Sequence, residues 1–453
     1  MIKILTDPRR TFNYIAFFVV FLNFTNVYTL ISGYTAISFR QLSMIMMAIL
    51  ALNAAANFRG LSRIFSKKYV IYFFIFFILI PALGVFLSPF IVIRYFWYYV
   101  LSGLIFINSC LFIKIEGAYS FKKWILLSFG VTIFGILMSY YFPSIFSLIG
   151  EMQAKAKGEF GIWDTVKVGS SSHARAFGFY MQPNVAYTSI LFQLIILVTS
   201  FFNRSIVSRV FIYGISFFSI LLTGSRGGFI MFLVFMAVII YSEVRNGIRL
   251  KNNTKAGFEK IVPYYACIFI AMLSIIIAIS VFGKQSTKGM GLNVVDKIYH
   301  TFVPSASNEA GLEDQSIGQR LDYQKAYIEM LFSNPRTIIT GHGTGSTAYY
   351  RYTGELPNAS HNNFLEKTFI HGIFTSMGMY LMFFFICRTR ISDNFKIRHG
   401  YNISLIITIC ILIQTFTINT LFSYRLLPVL VAFWLMELYF PNRKFQKSYR
   451  SIR

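Results

Sequence analysis

The sequence predicts an all-α fold, a polytopic membrane bundle of about twelve transmembrane helices with one large polar loop that contains an amphipathic helix. Three observations predict it. Of the 453 residues, 56% are hydrophobic and only 13% charged, and the mean hydropathy is +0.59, outside the range of soluble globular domains. Apolar runs near the roughly 20 residues needed to cross a hydrocarbon core recur along the whole length. The runs are unbroken, as in Tyr72-Phe73-Phe74-Ile75-Phe76-Phe77-Ile78-Leu79-Ile80, whereas strands of a spanning barrel would be short and alternating.

In chain order the expected spans are 13–33, 41–58, 69–88, 91–113, 124–146, 184–202, 206–223, 227–244, 262–282, 364–387, 403–422 and 426–440. Residues 1–453 read as a single integral membrane domain. Lys3, Arg9 and Arg10 lead directly into the first full-length span with no cleavage pattern, so that helix is expected to stay as a signal anchor.

The net charge of +25 would suggest a nucleic-acid binder in a soluble chain. Here the positive charge collects at alternate connections: Arg9 and Arg10, Arg59 to Lys68, Lys114 to Lys123, Arg204 and Arg209, Arg245 to Lys260, Arg388 to Arg398, and Arg443 to Arg453. By the positive-inside bias that side is the cytoplasm, and an even number of spans returns both termini to it. The basicity is therefore topological, with attraction to anionic membrane lipids as a secondary effect. Nucleic acid is not an expected partner. Cys110, Cys267, Cys387 and Cys410 fall within spans or at their cytoplasmic ends, so neither a disulfide framework nor a cysteine zinc site is indicated.

With this orientation the outward surfaces are two loops, 147–183 and 283–362, and short turns near Arg40, Pro89, Gly224 to Gly228, and Arg425. Loops of that size in a chain of short connections are where chemistry should be sought. Residues 316–333, with Leu321, Tyr323, Ala326, Tyr327, Met330 and Leu331, have helical spacing and are stopped by Asn334-Pro335. Gly341-His342-Gly343-Thr344-Gly345 lacks the dinucleotide spacing and its βαβ setting. Its glycines suit a tight turn or a close backbone approach to a ligand. No histidine pair has the spacing of a zinc motif with its acid, so no metal is expected.

Outward arginines run against the topological trend. Arg175, Arg226 and Arg320 each sit in a small motif: Arg175-Ala176-Phe177-Gly178 before Pro183-Asn184, Ser225-Arg226-Gly227-Gly228, and Gly318-Gln319-Arg320-Leu321-Asp322. Guanidinium groups bind phosphate oxygens through paired hydrogen bonds, so converging arginines suit a diphosphate. Each could equally snorkel to headgroups or pair with Asp322 or Glu366. His361 could be catalytic or a hydrogen-bond partner at a loop–helix junction, and His342 and His371 are weaker candidates.

Taken in order, these motifs resemble the bacterial O-antigen polymerase and O-antigen ligase superfamily: Arg175, Gly178, Pro183 and Asn184, then Ser225-Arg226-Gly227, then a long loop with Arg320, Gly341-His342-Gly343 and His361-Asn362, with Leu365 and Gly372 following. The resemblance covers roughly residues 170–390. It implies a metal-independent and cofactor-free membrane glycosyltransferase of the bacterial inner membrane, with its active site on the periplasmic face. The donor it implies is a glycan on undecaprenyl diphosphate. Carried over by motif, Arg226 and Arg320 would bind the diphosphate, with Arg175 as an addition and Asn362 on the substrate, and His361 would activate or orient the acceptor hydroxyl. No carboxylate is tied by motif to the base role, which leaves Glu366 and Asp322 as alternatives. The resemblance further implies a chain-length regulator and a flippase as partners. The favoured reading is a polysaccharide polymerase that joins lipid-linked repeat units; the alternative is a ligase acting on lipid A core, and a lipid-linked glycan transporter comes third, since the large outward loop supplies chemistry that a pore does not require.

Overall fold

The computed structural model describes residues 7–28, 39–87, 93–142, 176, 178–180, 183–201, 206–223, 225–251, 314–342, 362–388 and 425–440. Among these the chain is helical throughout, with no strand. The expected spans 262–282 and 403–422, and most of both outward loops, lie outside the described residues.

Helix α1 (Pro8–Phe24) starts where Asp7 accepts from the backbone N–H groups of Arg9 and Arg10, with proline at its first position, a strong start signal. It ends at Asn26, whose φ of 60° leaves the helical region; asparagine tolerates that conformation better than most residues. Helix α2 (Phe39–Ala56) is followed, after an 82° bend, by the short α3 (Phe58–Phe65). Helix α4 runs through Lys68–Phe74, a π-helical turn Ile75–Leu79, and Ile80–Leu87.

Helix α5 (Ile93–Tyr141) is interrupted at Gly117, where φ is 86° and ψ is 159°. Only glycine enters that region freely. By length and composition Phe96–Tyr141 counts as one 46-residue apolar helix, but the contacts describe two. Arg10 and Tyr14 of α1 reach Glu116 and Phe112 before the break. Phe17 and Phe21 reach Phe121 and Trp124 after it, and the Tyr180 hydroxyl bonds both Phe24 O and Thr132 Oγ1. The two halves therefore run in opposite directions along α1, in agreement with separate spans at 91–113 and 124–146.

The core gathers around α5. Phe17 stacks on Phe112 at 3.9 Å, and Phe73 meets Phe106 at 4.6 Å. Helices α6 (Pro183–Phe201), α7 (Ile206–Leu222), α8 (Arg226–Lys251) and the late α13 (Leu426–Tyr439) complete it. Polar glue holds the bundle, as expected where lipid supplies no hydrophobic drive between helices. Asn53 Nδ2 donates to Asn13 Oδ1 at 3.2 Å and to Asn108 Oδ1 at 2.8 Å, joining α1, α2 and α5. Gln193 donates to Ser128 and Thr132, joining α6 to α5. Lys122 pairs with Glu437 at 3.5 Å.

Phe18, Leu52, Leu127, Phe134, Phe211 and Phe374 remain exposed, as suits lipid contact. Among the described residues two helices are long and apolar enough to cross a membrane, three if the bent pair α2 and α3 is one span. Four shorter apolar helices, Asn184–Val198, Ser208–Leu222, Gly227–Tyr241 and Leu426–Tyr439, fall where spans are expected.

The second unit comprises α9 (Asp314–Phe332), α10 (Pro335–Thr340), α11 (Asn363–His371) and α12 (Ile373–Arg388). Its small core is Tyr327, Leu331 and Phe369. The helix expected over 316–333 is α9, and Asn334 both ends it and caps α10 by accepting from Arg336 N at 2.9 Å.

Candidate active site

Of the residues singled out by motif, Arg175 and His361 lie outside the described residues. Arg226 and Arg320 are placed by their backbones: Arg226 is the first residue of α8, and Arg320 lies in the second turn of α9. Asn362 is described with its side chain.

Two of the motifs meet in one packed junction. The Ala176 N–H, next to Arg175 in sequence, donates to Leu222 O at 3.0 Å, four residues before Arg226. Ser225 Oγ donates to Asn184 Oδ1 at 3.2 Å and accepts from Gly228 N at 3.3 Å. Ser225 thus caps α8 while holding the Pro183-Asn184 motif. Gly228 is required for contact: a Cβ there would come within 2.7 Å of the Tyr187 ring. The outcome sets Arg226 at the N-terminus of a long helix, where unpaired N–H groups and the helix dipole both favour an anion.

Gly178 of the first motif has φ 55° and abuts the Ile136 backbone, where a Cβ would lie 3.0 Å from Ile136 N. Its N–H donates to Ser139 Oγ at 3.0 Å. Tyr180, two residues on, is buried among Phe24 O, Ser189 Oγ and Thr132 Oγ1, and burial pushes its phenol up to about 12. It acts as a fixed hydrogen-bonding post at neutral pH.

The second group surrounds Asn362. Its side-chain oxygen accepts from Leu365 N at 3.1 Å and caps α11, so the amide expected on substrate has a structural duty. Within α11, Phe369 meets Tyr327 at 4.7 Å and stacks with His342 at 4.4 Å, the His342 N–H donating to Phe369 O at 2.7 Å. Burial holds His342 below the usual histidine range, opposed by a hydrogen bond with the Met330 backbone.

The glycines of this group serve the chain itself. A Cβ on Gly341 would lie 2.5 Å from the Ile370 and His371 backbone, and one on Gly372 would lie 1.8 Å from Ile339 O. The close approach expected at Gly341 toward a ligand is therefore, in the structure, an approach to α11. Beyond it, His371 Nε2 is hydrogen-bonded to the Tyr99 hydroxyl of α5, and Gly378 of α12 packs on Phe76 in the π-helical turn. Of the alternative carboxylates, Glu366 is buried and Asp322 exposed.

His342 and His371, the weaker histidine candidates, and Tyr99 and Asn26, which no motif marks, make packing and hydrogen-bond contacts around these motifs. Asn26 carried one signal, an asparagine just past an apolar run, where a left-handed residue often ends a helix. Among the described residues no group of three or more His, Cys, Asp or Glu is placed to hold a metal ion.

No curated protein and no solved structure matches the chain. Residues 211–380 match the family model described as O-antigen ligase. The match runs from α7 into α12 and takes in Ser225-Arg226-Gly227, Arg320, Gly341-His342 and His361-Asn362. Residues 211–380 are thus similar to the O-antigen ligase family, which supports the resemblance of this chain to the O-antigen polymerase and O-antigen ligase superfamily.

Proposed function

We propose that the protein polymerises lipid-linked oligosaccharide repeat units into O-antigen or a related surface polysaccharide. In this reading it transfers the growing glycan from undecaprenyl diphosphate to an acceptor sugar at the periplasmic face of the inner membrane. The observation that carries it is the junction of the Arg175 and Arg226 motifs at the N-terminus of α8, whose Arg226 side lies within the residues similar to the O-antigen ligase family.

The chemistry follows from the residues. The bond between the anomeric carbon and the diphosphate oxygen breaks, and the acceptor hydroxyl oxygen forms a new bond to that carbon. The diphosphate leaves on its lipid with one more negative charge. Arg226 at the helix N-terminus, with Arg175 and Arg320, stabilises that charge as it develops. The acceptor proton passes to a base, His361 in this reading, with Glu366 or Asp322 as alternatives. Arginine supplies the positive charge that a metal would otherwise bring, so the reaction is read as metal-independent.

A ligase with lipid A core as acceptor would use the same donor chemistry, and the description of the matched family favours that second reading equally. A deletion strain separates them. Surface glycan reduced to single repeats supports the polymerase, whereas loss of glycan from lipid A core with full-length lipid-linked chains persisting supports the ligase. Movement of lipid-linked repeats across proteoliposomes, with no glycan transfer by the purified protein, would replace both by a transporter.

A further inference from the structure

Arg425 immediately precedes α13, and it reaches the end of the bundle where the motif junction lies. Its Nη1 donates to Asn26 Oδ1, and its guanidinium lies 4.7 Å from the centre of the Tyr28 ring. Asn26 in turn donates through Nδ2 to Phe179 O at 2.5 Å. Both Asn26 and Tyr28 are buried. Three segments distant in sequence therefore meet: the end of α1, the Gly178–Tyr180 turn and the start of α13.

The chemistry of the contact gives it direction. An asparagine amide can present either its oxygen or its nitrogen to a neighbour, but a guanidinium only donates. Arg425 thus selects the orientation in which Asn26 Oδ1 faces it and Nδ2 faces the carbonyl of Phe179. The rest of the turn is tied in both directions, through Gly178 N to Ser139 and through Tyr180 to Phe24. Two residues before Gly178, the Ala176 N–H holds Leu222 O at the end of α7, which leads directly to Ser225-Arg226. A lysine could supply charge at position 425, but neither the planar fork nor the stacking on Tyr28.

We propose that Arg425 is a positioning residue for the diphosphate site: through Asn26 it fixes the Gly178–Tyr180 turn, and through Ala176 and Leu222 that turn sets the N-terminus of α8 that carries Arg226. This rests on the reading of Arg226 as a diphosphate ligand. Arg425 itself touches no substrate in this arrangement.

The test is steady-state kinetics of the purified full-length protein with an undecaprenyl-diphosphate-linked repeat, comparing Arg425→Met, Arg425→Lys, Asn26→Gly, the Arg425→Met/Asn26→Gly pair and Arg226→Ala. Glycine at position 26 keeps the left-handed backbone accessible while removing the amide. Arg425→Met and Asn26→Gly are each expected to raise the donor KM about tenfold, the scale of a lost hydrogen bond to a charged group. The kcat should fall alongside, because Arg226 also stabilises charge that develops in the transition state. The pair should be no worse than the worse single variant, because both break one chain of contacts, and Arg425→Lys should fall between wild type and Met. If Arg425→Met does not fold, Asn26→Gly carries the same comparison. A lowered melting temperature with unchanged donor KM, or effects of the two variants that add, overturns the proposal. If Arg226→Ala raises the donor KM while Asn26→Gly and Arg425→Met do not, this proposal alone fails. If Arg226→Ala leaves both the donor KM and kcat unchanged, the diphosphate reading beneath it fails.

Discussion

The Tyr99 hydroxyl and His371 Nε2 are hydrogen-bonded across 272 positions of chain. Tyr99 stands in the first half of α5, and His371 ends the helix that Asn362 begins. The bond therefore pins the helix following His361-Asn362 to the membrane bundle. Tyr99→Phe, which keeps the ring and removes the hydroxyl, is expected to cost about 1 kcal/mol of stability, the scale of hydrogen bonds between helices in membranes. Thermal unfolding in detergent checks it. A melting point identical to wild type would mean that the pair does not brace the helix.

The glycine crossing makes a steeper prediction. Gly341 and Gly372 both have positive φ, 71° and 79°, and a Cβ on either meets backbone atoms. Gly372→Ala should disorder the unit formed by α9 to α12, at a cost of about 3 kcal/mol or more from combined backbone strain and overlap. Gly214→Ala is the control, since nothing lies within 4 Å of a Cβ there and it sits inside α7. That change should be neutral or stabilise by up to about 1 kcal/mol. Limited proteolysis of the two variants should separate them, and equal resistance would contradict the packing described.

His342 gives a pH dependence. Its folded pKa is depressed by burial against Phe369, so the unfolded state takes up a proton first as pH falls. Its contribution to stability is then fully present above the unfolded value of about 6.5 and is lost as pH falls toward and through the folded value. Proteolytic resistance of the α9 to α12 unit should decline on acidification below about pH 6.5. In His342→Gln the decline should be shallower. An unchanged profile in that variant would assign the acid sensitivity to another group.

Asn53 is the hub of the buried amide network, donating to both Asn13 and Asn108. Asn53→Ala leaves two buried acceptors without that donor, and about 1–2 kcal/mol of destabilisation is expected. Asn53→Gln, which retains the amide but adds a methylene, should also destabilise through overpacking. Chemical unfolding in mixed micelles measures both, and wild-type stability in Asn53→Ala would show that the network contributes little.

Much of this was legible in the sequence for identifiable reasons. Helix positions follow from apolar runs, and the stop at Asn334-Pro335 is local chemistry. The division of α5 was also legible, because basic residues Lys114, Lys122 and Lys123 separate the two apolar runs that meet at Gly117. The order of Arg226, Arg320 and His361-Asn362 was enough to indicate the superfamily that residues 211–380 match. What was not legible depends on distant segments meeting. Gly341 reads as a generic turn until α11 is seen against it, and neither Tyr99 nor His371 marks the other in sequence. Arg425 looked like one more turn residue. Only the contact with Asn26, which needs both the helix end at Phe24 and the start of α13, gives it a part in the site.

In the proposed reaction the arginines at the α8 N-terminus and on α9 bind the diphosphate of a lipid-linked glycan while His361 serves the acceptor. The most direct measurement is the surface-glycan profile of a deletion strain complemented with wild type, Arg226→Ala, Arg320→Ala or His361→Ala at matched protein levels. Wild type is expected to restore long chains and each variant to leave single repeats, with losses of about 100-fold or more in transfer, the scale of removing a group that stabilises developing charge. Long chains of wild-type length from all three variants would contradict it.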